Sequence, residues 1–228
     1  MNVTVAEIAH VIEHTLLRPE ATPQQIDALC DEALRCGFAG VCVNPIYVRR
    51  AAEKLAPNSC TVIAAVGFPL GASLTITKAD EARRAIDDGA MEIDMVVALG
   101  ALVAGDRKQV RSDIEAVARV VHQATGHRLL KVILETAALT TEQLIAGCRC
   151  CAEAEADFVK TSTGFHPSGG ATVEHVRLLH RHASPLRVKA AGGIRTAQAA
   201  KAMLEAGAVR IGTSAGVSIL VELQSTAA

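Results

Sequence analysis

The sequence is poor in aromatic residues and carries almost no net charge. Only 2% of the 228 residues are aromatic, and there is no Trp. Because many single-stranded nucleic-acid binders stack bases on aromatic side chains, a base-stacking surface is not expected. The 23 Lys and Arg residues are offset by 24 Asp and Glu residues, which gives a formal net charge of −1. The basic surface that a phosphate backbone requires is therefore missing too, and the composition argues against a nucleic-acid partner.

Long apolar runs are missing as well. The longest nearly continuous run extends from Met95 to Gly105, well short of the roughly 18 residues that indicate a membrane span. The N-terminal stretch contains Glu7 and Glu13, and it lacks both a basic region and a cleavage signal, so it does not resemble a signal peptide. We therefore expect a soluble cytoplasmic protein with no membrane partner.

The sequence also lacks a metal-binding pattern. There are seven Cys and eight His residues, and Cys148, Cys150 and Cys151 are crowded together. No second cluster at metal-ligand spacing accompanies them, so small buried hydrophobic side chains on a helix are the simpler interpretation. We expect neither a structural zinc site nor a metal or other cofactor.

What the sequence does contain is a regular series of helix starts. Thr22, Pro23 and Gln25 form a capping box with Pro in the first helical position, and the helix that follows is expected to run to Cys36 and end at Gly37. Another helix is expected from Lys78 to Asp88. Further Thr residues that open apolar-periodic segments are Thr140, Thr172 and Thr196.

Short apolar runs rich in β-branched residues lie between these helices. Runs of this kind are typical of parallel strands that are covered by helices on one face. Seven are clear and an eighth, Thr15–Leu17, is weaker; the seven are Val41–Asn44, Thr61–Gly67, Glu92–Val96, Leu129–Leu134, Phe158–Ser162, Arg187–Ala190 and Val209–Ile211. Eight β-α units in a chain of this length predict a closed (β/α)₈ TIM barrel of the α/β class. An open doubly wound sheet is the alternative, and no linker divides residues 1–228, so we expect a single domain.

Three lysines stand inside these apolar runs. Lys is almost never fully buried without a partner, and burial disfavours its charged form. Lys131 comes early in its strand, and Glu135 follows four residues later with the same parity, so we expect a structural ion pair between these two. Lys160 and Lys189 instead precede small, hydroxylated or glycine residues, which places them near the catalytic end of their strands. Two inward ammonium groups disfavour each other's protonation, so one lysine is expected to act as a nucleophile and the other to stay cationic.

The run Glu92–Val96 carries two carboxylates of the same parity, Glu92 and Asp94. Asp94 lies deeper in the apolar segment. A carboxylate there can move protons for a nearby lysine, or simply neutralise its charge, and the two roles are compatible.

Glycine-containing loops follow the last two predicted strands. The pair Gly192-Gly193 follows the seventh strand, and residues 212–216, which begin with Gly212, follow the eighth. In barrels of this type these loops commonly bind phosphate through backbone N–H groups. Thr163-Gly164 after the sixth strand could add further donors. The residues alone therefore indicate a barrel that handles a phosphorylated carbonyl compound through a lysine Schiff base, without selecting the sugar.

These segments resemble the deoxyribose-phosphate aldolase family, which consists of class I, Schiff-base aldolases, in its shorter bacterial form. The most specific match is Lys160-Thr161-Ser162-Thr163-Gly164-Phe165 at a strand end. The matching segments cover nearly the whole chain in order: residues 14–17, 41–45, 67–71, 92–96, 131–136, 158–165, 188–196 and 210–214. The resemblance implies a TIM barrel that reversibly cleaves 2-deoxy-D-ribose 5-phosphate to acetaldehyde and D-glyceraldehyde 3-phosphate, in deoxyribonucleoside breakdown. It also implies a homo-oligomer, a dimer or a tetramer.

The resemblance further implies a role for individual residues. Lys160 corresponds to the Schiff-base nucleophile, Lys189 to the second lysine, whose charge keeps the nucleophile neutral, and Asp94 to the group that moves protons. The residues that correspond to substrate contacts and phosphate-binding loops are Thr163, Gly164, Gly192, Gly193, Gly212 and Ser214. Two other readings are an isomerase or synthase that uses lysine as a general acid without a covalent adduct, and a phosphosugar-binding protein on an inactive scaffold.

Three positions depart from the usual family pattern. Glu13 stands where Asp is usual, Ala191 stands where Ser is more frequent, and residues 166–168 differ from the usual Gly- and Pro-rich stretch. None of these departures involves Asp94, Lys160 or Lys189, so we expect them to affect substrate affinity more than activity. The sequence leaves the reactivity of Cys42 open.

Overall fold

A computed structural model describes residues 4–58 and 60–227. Its eight parallel strands are hydrogen-bonded in chain order, and β1 pairs with β8 to close a barrel. This confirms the predicted (β/α)₈ barrel and excludes the open sheet. The strands are β1 (Ile12–Leu16), β2 (Gly40–Val43), β3 (Thr61–Val66), β4 (Glu92–Val96), β5 (Leu129–Ile133), β6 (Phe158–Lys160), β7 (Arg187–Ala191) and β8 (Arg210–Thr213).

The helices pack around the barrel. They are α1 (Val5–Ala9), α2 (Pro23–Cys36), α3 (Val48–Leu55), α4 (Thr75–Asp87), α5 (Leu99–Val103), α6 (Arg107–Gln123), α7 (Thr141–Glu153), α8 (Val173–His182), α9 (Ala197–Glu205) and α10 (Gly216–Ala227). Single 3₁₀ turns follow β2 and β5, at Pro45–Tyr47 and Thr136–Ala138. No helix in the part of the chain that the structure describes is long and apolar enough to cross a membrane.

The predicted ends of α2 and the predicted starts of α7, α8 and α9 are confirmed. The side chain of Thr22 accepts a hydrogen bond from the backbone of Gln25, Pro23 is the first helical residue, and Gly37 ends α2 in the left-handed conformation with φ of +67°. Side chains of Thr140, Thr172 and Thr196 cap α7, α8 and α9 in the same way. These caps satisfy backbone N–H groups that have no partner within the helix. Helix α4 begins at Thr75, three residues before the predicted start.

The least accurate strand prediction was β1. The sequence suggested Thr15–Leu17, whereas the strand begins at Ile12. Glu13 and His14 interrupt the apolar pattern, and both are buried because each has a partner inside the fold. Strand β6 is shorter than predicted and ends at Lys160, so residues 161–165 form the loop that leaves the barrel.

The main hydrophobic core lies between the strands and the helices, and Cys148, Cys150 and Cys151 are buried in it as predicted. Side chains that point into the barrel divide it into two halves. One half is apolar and contains Leu17, Cys42, Ile63 and Ala65. The other half carries the charged side chains of β4 to β7, together with Glu13 of β1. The apolar half keeps water away from these charges, which strengthens their mutual interactions.

Candidate active site

Barrel register brings the predicted catalytic residues together. Asp94 of β4 lies beside Lys131 of β5, and Lys160 of β6 lies beside Lys189 of β7. All four side chains point into the barrel, and none has more than 3% of its surface exposed. The three residues predicted to be catalytic, Asp94, Lys160 and Lys189, thus lie together inside the barrel, and their catalytic roles stay predictions.

Asp94 is the centre of the cluster. Its Oδ2 accepts hydrogen bonds from Lys160 Nζ at 2.7 Å and from Lys189 Nζ at 2.6 Å, and its Oδ1 accepts one from Lys131 Nζ at 2.9 Å. Burial alone would raise the pKa of Asp94, but the three ammonium groups outweigh it and hold that pKa well below its ordinary value. Asp94 is therefore an ionised hydrogen-bond acceptor at neutral pH.

Lys189 has a second acidic partner. It donates to Glu13 of β1 as well as to Asp94. Burial would lower the pKa of Lys189, but Asp94 and Glu13 together raise it above its ordinary value. Burial likewise would raise the pKa of Glu13, but Lys131 and Lys189 lower it. From the sequence, Glu13 argued against a signal peptide and departed from a family pattern, but it was not predicted to belong to the site; its charge within an apolar stretch was the available signal that it lies inside the barrel.

The predicted partner of Lys131 was wrong. Lys131 Nζ lies 2.5 Å from Glu92 Oε2, 2.9 Å from Asp94 and 3.6 Å from Glu13, and no contact with Glu135 is found. The reason lies in the backbone, because β5 ends at Ile133 and Glu135 adopts a left-handed conformation with φ of 59° and ψ of 59°. The alternation of side chains along β5 stops before Glu135, so equal parity does not place Glu135 on the same side as Lys131.

A cavity of about 590 Å³ opens at the carboxyl ends of the strands. Lys160 and all six predicted binding residues line it, namely Thr163, Gly164, Gly192, Gly193, Gly212 and Ser214. Asp94 and Lys189 lie deeper, and no part of either side chain is exposed. The cavity therefore gives a small molecule access to Lys160 from the mouth of the barrel.

The glycines in the wall allow the backbone to approach closely. Gly192 has a φ of +97°, and a Cβ there would lie 3.1 Å from the Cα of Gly170 and 3.2 Å from the Cβ of Ser162. A side chain at Gly193, with φ of +78°, would meet no atom within 4 Å, so its backbone faces open space. These conformations favour glycine, so the backbone itself lines the cavity wall here.

Thr163, which was predicted to add hydrogen-bond donors and to contact the substrate, lines the cavity but is also bound within the protein. Its hydroxyl donates to Glu135 Oε2 at 2.5 Å and accepts from the N–H of Phe165 at 3.0 Å, while its own N–H donates to Glu135 at 3.2 Å. Both donors of Thr163 are thus engaged within the protein. Neither donor of Thr163 is therefore free to bind a ligand in this arrangement.

Two arginines at the cavity were missed by sequence reasoning. Arg18 follows β1 and Arg195 follows the Gly192-Gly193 pair, and both line the cavity. Their position directly after strand ends was an available signal, because cations there can contact a phosphate at the mouth of a barrel.

The thiol of Cys42 lies inside the barrel and is fully buried. Burial and the nearby charge of Asp94 raise its pKa to about 11. The thiolate, which is the reactive form, is therefore scarce at neutral pH. No group of three or more His, Cys, Asp or Glu residues able to hold a metal ion is found within residues 4–58 and 60–227.

Residues 8–222 match the model of a protein family described as DeoC/LacD family aldolase. A deoxyribose-phosphate aldolase of Brevibacillus brevis is 52% identical, and the match covers 94% of this chain and 96% of the relative. A deoxyribose-phosphate aldolase of Thermococcus gammatolerans is 53% identical, and the match covers 94% of this chain and 95% of the relative. Among solved structures, a deoxyribose phosphate aldolase of Aeropyrum pernix, described as having a unique tetrameric structure, superposes with a TM-score of 0.90 at 30% identity, covering 98% of this chain and 93% of its own.

Proposed function

The chain belongs to the DeoC/LacD family of aldolases, and we propose that it reversibly cleaves 2-deoxy-D-ribose 5-phosphate to acetaldehyde and D-glyceraldehyde 3-phosphate, in deoxyribose phosphate catabolism. The observation that carries this proposal is the position of Lys160. It is the lysine of the charged cluster that lines the cavity, and it contacts the ionised carboxylate of Asp94. Relatives about 50% identical over almost the whole chain bear the name of this activity.

Lys160 is the nucleophile in this proposal. Its neutral amine attacks the aldehyde carbon of the open-chain sugar, and loss of water from the carbinolamine leaves an iminium. A base then takes the proton of the C3 hydroxyl, the C2–C3 bond breaks, and its electron pair passes into an enamine while glyceraldehyde 3-phosphate leaves. Protonation of the enamine carbon and hydrolysis of the resulting iminium release acetaldehyde and the free lysine.

Asp94 and Lys189 are proposed to move the protons. Asp94 Oδ2 contacts both Lys160 and Lys189, so one carboxylate oxygen can exchange protons with the nucleophile and, directly or through a water molecule, with the bound substrate. Burial lowers the pKa of Lys189, but Asp94 and Glu13 raise it above its ordinary value, which supports a cationic Lys189 in this proposal.

The phosphate group is proposed to bind at the loops after β7 and β8. Gly192, Gly193, Gly212 and Ser214 line the cavity there, and α10 begins two residues after Ser214. Backbone N–H groups and the positive end of a helix favour an anion at such a position. Thr163 and Gly164 line the cavity beside Gly192, and Arg18 and Arg195 add positive charge at the mouth.

We also propose that the whole chain acts as one barrel domain within a homo-oligomer. The tetrameric relative supports this assembly. So do four apolar side chains that are at least 70% exposed, Ile46, Leu70, Leu74 and Ile76. Cytoplasmic location and independence from a cofactor or metal stay predictions from the sequence.

The test is reductive trapping. The protein is incubated with acetaldehyde and borohydride, and its intact mass and peptide map are measured. We expect one ethyl group on Lys160, and deoxyribose 5-phosphate in place of acetaldehyde should also give an adduct on Lys160, because its cleavage passes through the same iminium. The variant Lys160→Leu should keep the fold by circular dichroism but lose both the adduct and the cleavage activity. Lys108→Leu, which changes an exposed lysine on α6, is the matched control and should behave like the unchanged protein.

Two results would contradict the proposal. If adducts are scattered over surface lysines and Lys160→Leu still cleaves the substrate, Lys160 is not the nucleophile. If the unchanged protein binds phosphosugars without any adduct, an isomerase-type mechanism or a binding protein becomes the better interpretation.

A further inference from the structure

Glu135 has an unusual backbone for a buried side chain. Among the described residues, two that are not glycine have a positive φ, Glu135 at 59° and Glu155 at 58°. Glu155 is exposed on the surface, whereas Glu135 is only 2% exposed and lies directly after β5. A left-handed conformation costs free energy for a residue with a Cβ, and it persists where surrounding interactions determine it.

Glu135 holds the loop that begins at Lys160. Both donors of Thr163, its hydroxyl and its N–H, bind the Glu135 carboxyl group at 2.5 Å and 3.2 Å. The Thr163 hydroxyl oxygen then accepts the N–H of Phe165 at 3.0 Å. A chain of hydrogen bonds thus connects the side chain of Glu135 to the backbone of Phe165, five residues beyond Lys160.

Phe165 lies over the mouth of the barrel. Its ring meets the ring of Phe68 edge to face, with centroids 5.2 Å apart and an angle of 86° between the planes. Phe68 follows β3 and packs on the apolar half of the barrel interior, around Cys42 and Ile63. The two rings therefore bridge loops that come from opposite sides of the mouth, above the level of Lys160.

We propose that Glu135 is a positioning residue for the aldol reaction. It fixes Thr163 and, through it, Phe165, so that the aromatic pair Phe165–Phe68 closes one side of the mouth and Lys160 meets its substrate from the other. The inference rests on the proposed function, since it concerns the same cavity. It assigns Glu135 no contact with the substrate.

Three variants separate the carboxyl group from the backbone. Glu135→Gln keeps the size of the side chain but places an NH₂ group where Thr163 needs an acceptor, so kcat/KM for deoxyribose 5-phosphate should fall about ten- to a hundredfold. Glu135→Gly relieves the backbone strain and removes the carboxyl group, and it should lose activity to at least the same extent. Glu155→Gly relieves comparable strain at an exposed site, and it should leave kcat/KM unchanged.

A double-mutant cycle tests the route through Phe165. If Glu135 acts by placing Phe165, the combined variant Glu135→Gln/Phe165→Ala should lose less activity than the product of the two single losses predicts. Losses that multiply would show that the two residues act separately, and the proposed route would be wrong.

The rate of borohydride trapping with acetaldehyde, measured in the same variants, distinguishes this inference from the proposed function. The unchanged protein should form the Lys160 adduct, and Glu135→Gln and Glu135→Gly should form it more slowly while unfolding at temperatures close to that of the unchanged protein. If the unchanged protein forms no adduct, the proposed function is wrong. If it does, and Glu135→Gly traps and cleaves as fast, only the left-handed backbone mattered and the positioning role is refuted.

Discussion

Replacing Lys131 by Met should destabilise the protein strongly. Lys131 has no exposed surface, and its ammonium group lies 2.5 Å from Glu92, 2.9 Å from Asp94 and 3.6 Å from Glu13. Met fills most of the space of the lysine stem, so the cavity left behind is small. The loss comes instead from three buried carboxyl groups that keep their desolvation cost and lose a shared cation. Removing one partner of a buried ion pair typically costs about 3–5 kcal/mol, which is the loss we expect in the free energy of unfolding.

Urea unfolding at pH 7, followed by circular dichroism, measures this loss. Lys54→Met is the matched control, because Lys54 pairs with Asp31 at 2.8 Å while both side chains are more than a third exposed, and it should change the stability far less. The double variant Lys131→Met/Glu92→Gln should recover part of the lost stability, since it removes one uncompensated carboxyl group. A loss below about 1 kcal/mol for Lys131→Met would refute the reasoning, because it would mean that the cluster is solvated like a surface pair.

Two further predictions concern pH and packing. The pKa values of Asp94 and Glu13 are lowered from ordinary values of 3.8 and 4.5, so their contribution to stability is fully present above about pH 5 and is lost as the pH falls further; urea midpoints between pH 7 and pH 3 should decline accordingly. The pKa of Lys189 is raised from 10.5, so the contribution of Lys189 to stability is present below about pH 10.5 and is lost as the pH rises further. Urea midpoints that stay constant both between pH 7 and pH 3 and above about pH 10.5 would contradict the burial of these ion pairs. Gly212→Ala would place a Cβ 3.1 Å from Lys189 Cε and 3.0 Å from Ala191 Cβ, and should lower kcat/KM about tenfold by displacing Lys189. Gly100→Ala, whose Cβ would meet no atom within 4 Å, is the control for that steady-state assay, and equal activities of the two variants would count against crowding at Lys189.

The fold and the central residues were predictable because they depend on local patterns. Thr22 and Gly37 mark the ends of a helix whatever surrounds it, and apolar runs between such helices predict covered parallel strands. Lys160 and Lys189 were found for a similar reason. A lysine in an apolar run needs a partner or a function, and the small residues after each one marked the strand end.

The pairing of charges could not be predicted in the same way. Parity shows that Glu92 and Asp94 face the same side of β4, but which carboxyl group meets Lys131 on β5 depends on the register between the strands. Glu13 reaches Lys189 only because β8 pairs with β1 and closes the barrel, which joins residues 176 positions apart. The residues around Glu13 do not indicate that β1 and β8 pair.

Glu135 shows the other limit of parity. An argument from alternation assumes that the strand continues, yet β5 ends two residues before Glu135 and the backbone turns left-handed there. The residue therefore faces the loop after β6 rather than the barrel interior. Nothing in the apolar run from Leu129 to Leu134 indicates this turn, so the contact with Thr163 appeared only in the structure.

The charges inside the barrel stabilise the iminium intermediate of the proposed reaction better than they stabilise the neutral amine of Lys160. Three carboxyl groups, of Glu13, Glu92 and Asp94, face three lysines, Lys131, Lys160 and Lys189, and with all six ionised their formal charges cancel. When Lys160 loses a proton to become a nucleophile, the cluster gains one uncompensated negative charge beside that nitrogen. Formation of the iminium returns a positive charge to the same nitrogen, against Asp94. The fixed charges therefore stabilise the iminium, and the transition state that leads to it, relative to the neutral amine from which the iminium forms.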